Sequence, residues 1–200
     1  MSIELMIGND TGTKAYLPAV EEGIEWTTER KSAPGKLTFK ILKDDVLDFS
    51  EGSAVRMKEN GDELFFGFVF KQQRARDQII TVTAYDQLRY LKNKDTIVYE
   101  NKTADQLLRM IASDYALNVG VLEPAGYVIE SRVEENTSLF EMIQNALDLT
   151  LTNTGELFVL YDDFGKLTLK HLSSMAVGEP GAYLIVSWPL GYLLAFPPLF

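Results

Sequence analysis

The sequence predicts a mainly β chain of the α+β class: an N-terminal antiparallel β-barrel followed by a small α+β domain. Three observations carry this expectation. From Ile3 to about Tyr90 apolar residues alternate with period two, the spacing of half-buried strands. Turn residues separate these short β-branched and aromatic runs, which suits an antiparallel sheet curled on itself. After Thr103 the spacing changes to that of amphipathic helices. The expected organisation is residues 1–95 for the barrel, 96–183 for the α+β domain and 184–200 for an atypical apolar, proline-containing tail.

Taken in order, "KLTFKIL" (residues 36–42) sets Leu37, Phe39 and Ile41 on one face and Lys36, Thr38 and Lys40 on the other. Asn60-Gly61 suits a tight hairpin leading into "FFGFVF". Gly67 inside that run reads as a bulge or barrel bend, because a strand glycine packs nothing. Phe65 and Phe66 must face opposite sides, so one of them is an exterior anchor for a partner. "RARD" then reverses the chain into "QIITVTAY". In "AYDQLRYLKNKDT" (residues 84–96) Asp86 is expected to cap one helical turn, with Leu88 and Leu91 inward and Arg89, Lys92 and Lys94 wet. This link reads as a joint between the two domains.

Thr103 with Gln106 forms a capping box ahead of a helix whose face carries Leu107, Leu108, Ile111 and Tyr115. Ser138 with Glu141 opens a second, carrying Leu139, Phe140, Ile143, Ala146, Leu147 and Leu151 and stopping near Asn153 and Gly155. "YVIESRV" (residues 127–133) between them reads as a strand. "ELFVLYDDFGKLTLKHL" (residues 156–172) reads as a hairpin turning at residues 162–165.

Composition narrows the function classes. With 29 acidic and 19 basic residues among 200, the net charge is −10. A phosphate backbone is repelled on average, so sequence-specific nucleic-acid binding is not expected. The chain has no cysteine, which excludes disulfides, thiolate metal sites and a cysteine nucleophile. His171 is the one histidine, too few for a two-histidine metal site within the chain. Acid pairs occur at Glu21-Glu22, Asp44-Asp45, Glu134-Glu135 and Asp162-Asp163. Neighbours on a strand face opposite sides, and Asp44-Asp45 and Asp162-Asp163 fall where turns are expected. Neither a serine elbow nor a phosphate loop is present. No catalytic, cofactor-binding or metal-ligating residue is assigned, and no cofactor is expected. The start of the chain lacks the basic and apolar pattern of a secretory signal, so cytoplasmic synthesis is expected. Residues 186–200 are apolar but short of the ~20 residues that span a bilayer, and Pro189, Pro197 and Pro198 break them, so membrane insertion is not expected.

With these residues in view, the sequence resembles the baseplate hub, or tail-associated, proteins of contractile-tailed phages and phage-like elements of Gram-positive bacteria. The likeness rests on residues 29–45 ("ERKSAPGKLTFKILKDD"), 65–74, 82–108, 137–150 and 160–170, with "AYDQLRYL" the most family-specific block. It implies a non-enzymatic assembly part: a homo-oligomer, trimeric in the full-length family, of β-barrels with α+β insertions that joins tail tube to spike. It further implies assembly in the host cytoplasm and then residence in a virion tail or tail-like particle. Family members are longer, with further barrel strands, so the apolar residues 186–200 are read as a truncated or frame-shifted end. Those residues are expected to cover the groove of the missing strands or to mediate self-association, since so apolar a patch needs cover. The rival readings are a tail-associated peptidoglycan hydrolase acting through carboxylates and a cell-wall-binding module using Trp26 and Tyr127.

Overall fold

The computed structural model describes residues 2–9, 11–29, 31, 33–74 and 78–175. The expectations for residues 186–200 lie outside them. Seven strands come first: β1 (Ile3–Gly8), β2 (Ala15–Tyr16), β3 (Glu25–Thr27), β4 (Lys36–Leu42), β5 (Ala54–Glu59), β6 (Asp62–Arg74) and β7 (Ile79–Tyr85). They form one antiparallel sheet in the order β2-β1-β5-β6-β7-β4-β3. The hairpin between β5 and β6 turns at Asn60 and Gly61, with φ of 51° and 94°. Both centres are left-handed, as a two-residue hairpin turn twisted like its strands requires.

The sheet is open, which corrects the expected barrel. Closure needs its two margins to hydrogen-bond to one another. The margins here are β2, of 2 residues, and β3, of 3, each paired on one side alone. Alternation does set the buried face: Leu37, Phe39 and Ile41 of β4 are fully covered, with Ile7, Val55 and Val82 beside them. Phe49, Val20 and Ile24 from the connecting segments pack on the same cluster.

Gly67 is not a bulge. The register shifts fall on either side of it, between Met57 and Lys58 against β5 and between Val69 and Lys71 against β7. A Cβ at Gly67 would collide with the Tyr85 carbonyl, so the residue serves a close approach of backbones. Phe65 points into the core, as Phe66 points out. Phe66 is covered from within the chain, because its ring lies 5.8 Å from that of Phe164.

A 3₁₀ helix, η1 (Gln87–Lys92), leads out of β7. Then follow β8 (Lys94–Lys102), α1 (Ala104–Asp114), β9 (Val119–Leu122), β10 (Ile129–Ser138), α2 (Leu139–Thr154), β11 (Phe158–Asp162) and β12 (Leu167–His171). β8 and β10 form an antiparallel ribbon; β11 pairs β12 antiparallel, and β9 joins β12 in parallel. The predicted strand at residues 127–133 thus starts two residues later and runs on into the cap of α2. Leu107, Leu108 and Ile111 of α1 are fully buried, and Leu139, Ile143 and Ala146 of α2 meet them in a second core. Leu151 is the exception to the predicted stripe, 39% exposed at the end of α2. Gly155 stops that helix at φ 77°, the left-handed end that glycine adopts without strain. Leu88 and Leu91 of η1 belong to this second core, so the changeover between cores falls between Ala84 and Leu88.

Candidate functional site

The changeover is built around Asp86. As expected it caps η1, its Oδ1 accepting from the Leu88 amide at 3.0 Å. It does more than the sequence disclosed. Its Oδ2 accepts from the Gly35 amide, just ahead of β4, at 2.8 Å. The Asp86 amide in turn donates to the Gly35 carbonyl at 3.1 Å. A Cβ at Gly35 would fall on Asp86 Oδ2, so glycine lets the carboxyl reach the backbone. Beside it the buried Gln87 makes a reciprocal pair with Asn118: its Nε2 donates to the Asn118 carbonyl and its Oε1 accepts the Asn118 amide, each at 3.1 Å. Leu88 and Leu91 point inward, and Arg89, Lys92 and Lys94 are exposed. The link is a joint with hydrogen bonds on both sides.

Across from Asp86 lies Asp162, the last residue of β11. Its Oδ1 accepts from the Gly165 amide at 2.7 Å, the turn role that its position predicts. Gln87 lies near enough to lower its pKa, yet Oδ2 is buried without a well-formed hydrogen bond. Between the first sheet and the elements around the second core runs a cleft of about 320 Å³, lined by Trp26, Glu29, Glu63, Asp86, Asp162 and Asp163 among others. No lysine or arginine pairs with either buried acid among the described residues. Burial, and then the charge of Asp162, push the Asp86 carboxyl up to about 8 against the pull of the Gly35 and Leu88 amides. Burial raises Asp162 to about 6, opposed by its bond with Gly165 and by the nearby Gln87. Near neutral pH the pair therefore holds a proton in the cleft between the two cores.

The outer face of the first sheet carries a second constellation. Arg56 lies 5.3 Å from the Phe66 ring centroid, and Phe66 meets Phe68 edge-on at 5.4 Å. Phe70 meets Tyr85 edge-on at 5.4 Å, and Arg89 lies 3.8 Å from the Phe70 centroid. Arg89, expected only to stay wet, thus stacks on an aromatic ring.

The remaining singled-out residues fall apart from one another. Trp26 packs against the first core and lines the cleft, its indole nitrogen buried without a partner, and Tyr127 packs against the second core. His171 shares a hydrogen bond of 2.6 Å with Ser173 and meets Phe158 edge-on. Glu134 is buried and paired with Arg132 at 2.6 Å, while its neighbour Glu135 faces outward. Asp44 accepts from the Val46 amide at 3.0 Å in a turn. The facing of Asp86 and Asp162 had no local signal: the two lie on elements far apart in sequence, and each alone reads as a cap or a turn.

This architecture is that of phage tail proteins. The described fold superposes on the 43 kDa tail protein of prophage MuSo2 from Shewanella oneidensis with a TM-score of 0.64 at 17% identity, covering 84% of this chain and 54% of that one. Residues 24–185 match the YqbQ-like family, and the chain belongs to it. It is 37% identical over 188 residues to the protein YqbQ of Bacillus subtilis (strain 168), covering 90% of this chain and 56% of that protein. It is 36% identical over 174 residues to the phage-like element PBSX protein XkdQ of the same organism, covering 84% and 52%. The chain thus spans about half the length of these curated relatives.

Proposed function

We propose that the chain is a structural part of the tail of a prophage-like element, working without catalysis in a baseplate hub that joins a contractile tail's tube to its spike. The observation that carries this reading is the 36% identity, over 84% of the chain, with the phage-like element PBSX protein XkdQ. The joint supports it in physical terms. A part that passes force between neighbours must resist shear between its own domains. Here the Asp86–Gly35 and Gln87–Asn118 pairs, with the Phe66 ring tilted against that of Phe164, tie the sheet to the α+β domain at several points. Its partners on this reading are further copies of the chain and the adjoining tube and spike proteins, met in the tail particle.

Deleting the coding sequence from an induced host and imaging the particles tests this. The expected result is tails that fail to form or lack their tip, restored by the chain supplied in trans, with the chain found by immunogold at the tip. Normal particles after deletion, or a chain absent from purified particles, overturn the reading. Release of fragments from purified peptidoglycan by the chain would instead favour the hydrolase reading.

A further inference from the structure

We infer that Asn60, in the hairpin between β5 and β6, modifies itself: the Gly61 nitrogen attacks the side-chain amide of Asn60, ammonia leaves, and water opens the resulting succinimide to aspartate or isoaspartate. The sequence supplies the reactants. Of the asparagines in the chain, Asn60 alone is followed by glycine, and a glycine nitrogen has no Cβ beside it to block its approach. Asparagine is thermolabile in general, so the fold decides whether this one is shielded or aided.

Three features of the hairpin aid it. Asn60 and Gly61 are both exposed, so water reaches the leaving amine and hydrolyses the product. No hydrogen bond holds the Gly61 amide among the described residues, and the space where a side chain would stand at Gly61 is open, which leaves the nucleophile free. The third feature acts on the electrophile. The Ser2 amide, just ahead of β1, donates to Asn60 Oδ1 at 3.0 Å, and the Asn60 amide donates to the Ser2 carbonyl at 2.8 Å. The second bond anchors the residue, while the first draws electrons away from Cγ. As the Gly61 nitrogen bonds to Cγ, the carbonyl electrons pass to Oδ1, and a donor already aimed there stabilises that oxyanion.

In the first step the Gly61 nitrogen gives its proton to water or hydroxide and forms the N–Cγ bond, while the Cγ–Nδ2 bond breaks and the amine takes up a proton to leave as ammonia. In the second, water adds to one of the two imide carbonyls and breaks its bond to the Gly61 nitrogen. Attack at the main-chain carbon gives isoaspartate, and attack at Cγ gives aspartate. Either product exchanges a neutral amide for a carboxylate, set between Glu59 and Asp62, which pair across the hairpin. Isoaspartate also adds a methylene carbon to the main chain, in a turn that fits two left-handed residues.

Ageing the purified full chain at pH 7.4 and 37 °C, followed by intact mass and tryptic mapping, tests this. The expected result is a gain of about 1 Da, the exchange of an amide for an acid, appearing first in the peptide of residues 59–71 and matched by the ammonia released. Isoaspartate in that peptide is read by its uptake of methyl groups from a protein isoaspartyl methyltransferase. S2P removes the donor aimed at Oδ1 and should slow conversion of the native chain by about threefold or more, with no change of rate in 6 M guanidinium chloride. G61A should slow conversion by about tenfold or more in denaturant as in buffer, since a Cβ hinders the attacking nitrogen whether or not the variant folds. A native chain that keeps its mass while the denatured chain converts overturns the inference, because the hairpin then shields the residue. So does a first gain of mass in any other tryptic peptide, or S2P converting at the wild-type rate.

Discussion

Asp162 has one carboxyl oxygen bound to the Gly165 amide and the other buried near Gln87 without a well-formed hydrogen bond, facing Asp86. An asparagine there keeps an oxygen for Gly165 and removes a charge that Asp86 otherwise feels. Both acids have folded pKa values raised above the ordinary value of 3.8, to about 8 and about 6. Their contribution to stability is therefore full below about pH 4 and is lost as pH rises through those values. Urea midpoints of the wild type should fall between pH 5 and pH 8. D162N should flatten that slope and raise stability at pH 8 by on the order of 1 kcal/mol. An undiminished slope in D162N would show that the pair does not set it. At Gly165, φ is 83° and a Cβ would collide with the Cδ1 edge of the Phe66 ring. G165A should cost about 2 kcal/mol or more, combining left-handed strain with the clash. F66L should return part of that loss in a double-mutant cycle followed by thermal melting. Strict additivity would place the whole cost in the backbone. The sequence showed Asp162 and Gly165 as a turn, but a ring packed on that turn from another domain leaves no local trace.

The helices were the most legible elements because their rules are local. Ser138 and Glu141 close the reciprocal cap, with the Glu141 amide donating to Ser138 Oγ at 3.3 Å and the Ser138 amide to Glu141 Oε2 at 3.0 Å. Gln106 likewise reaches back to the Thr103 amide at 3.2 Å, but Thr103 Oγ1 donates to Asp105, which also holds the Ala125 amide. L108A and L147A should each cost about 2 to 5 kcal/mol, read as urea midpoints, because both side chains sit in the second core where truncation leaves a cavity. Leu108 is wholly enclosed and Leu147 retains 8% exposure, so the first should cost more. Equal midpoints for wild type and variants would mean that the stripe was placed on the wrong face. The strands β8 and β9 escaped the sequence reading for a reason visible in their packing. "TIVY" in β8 has no alternation, since Tyr99 is buried while Val98 is 62% exposed opposite an equally bare Val133. An apolar outer face removes the polar half of the period-two signal.

At the scale of the molecule, alternation fixes which side of a strand is buried but says nothing about whether the first and last strands meet. That is why the first domain reads as a barrel and folds as an open sheet with short margins. The same limit hid the joint, where a cap residue from one domain and a turn residue from another converge on one cleft. Two cores that share no buried residue can open at the joint without either unfolding, and local opening is what amide exchange measures. Ionising both acids should favour that opening, since like charges in a partly dry cleft repel. The Gly35 and Asp86 amides, which bridge the sheet to η1, should therefore lose protection by about tenfold or more between pH 6 and pH 9 after correction for intrinsic rates, equivalent to about 1.4 kcal/mol. Amides in the middle of α2, such as those of Ala146 and Leu147, should keep theirs. D162N should reduce the difference, leaving the part that comes from the burial of Asp86 itself. Loss of protection at the joint and in α2 together would mean that the two cores unfold as one, and constant protection at Gly35 would mean that the hydrogen bonds of the joint outweigh the charge they enclose.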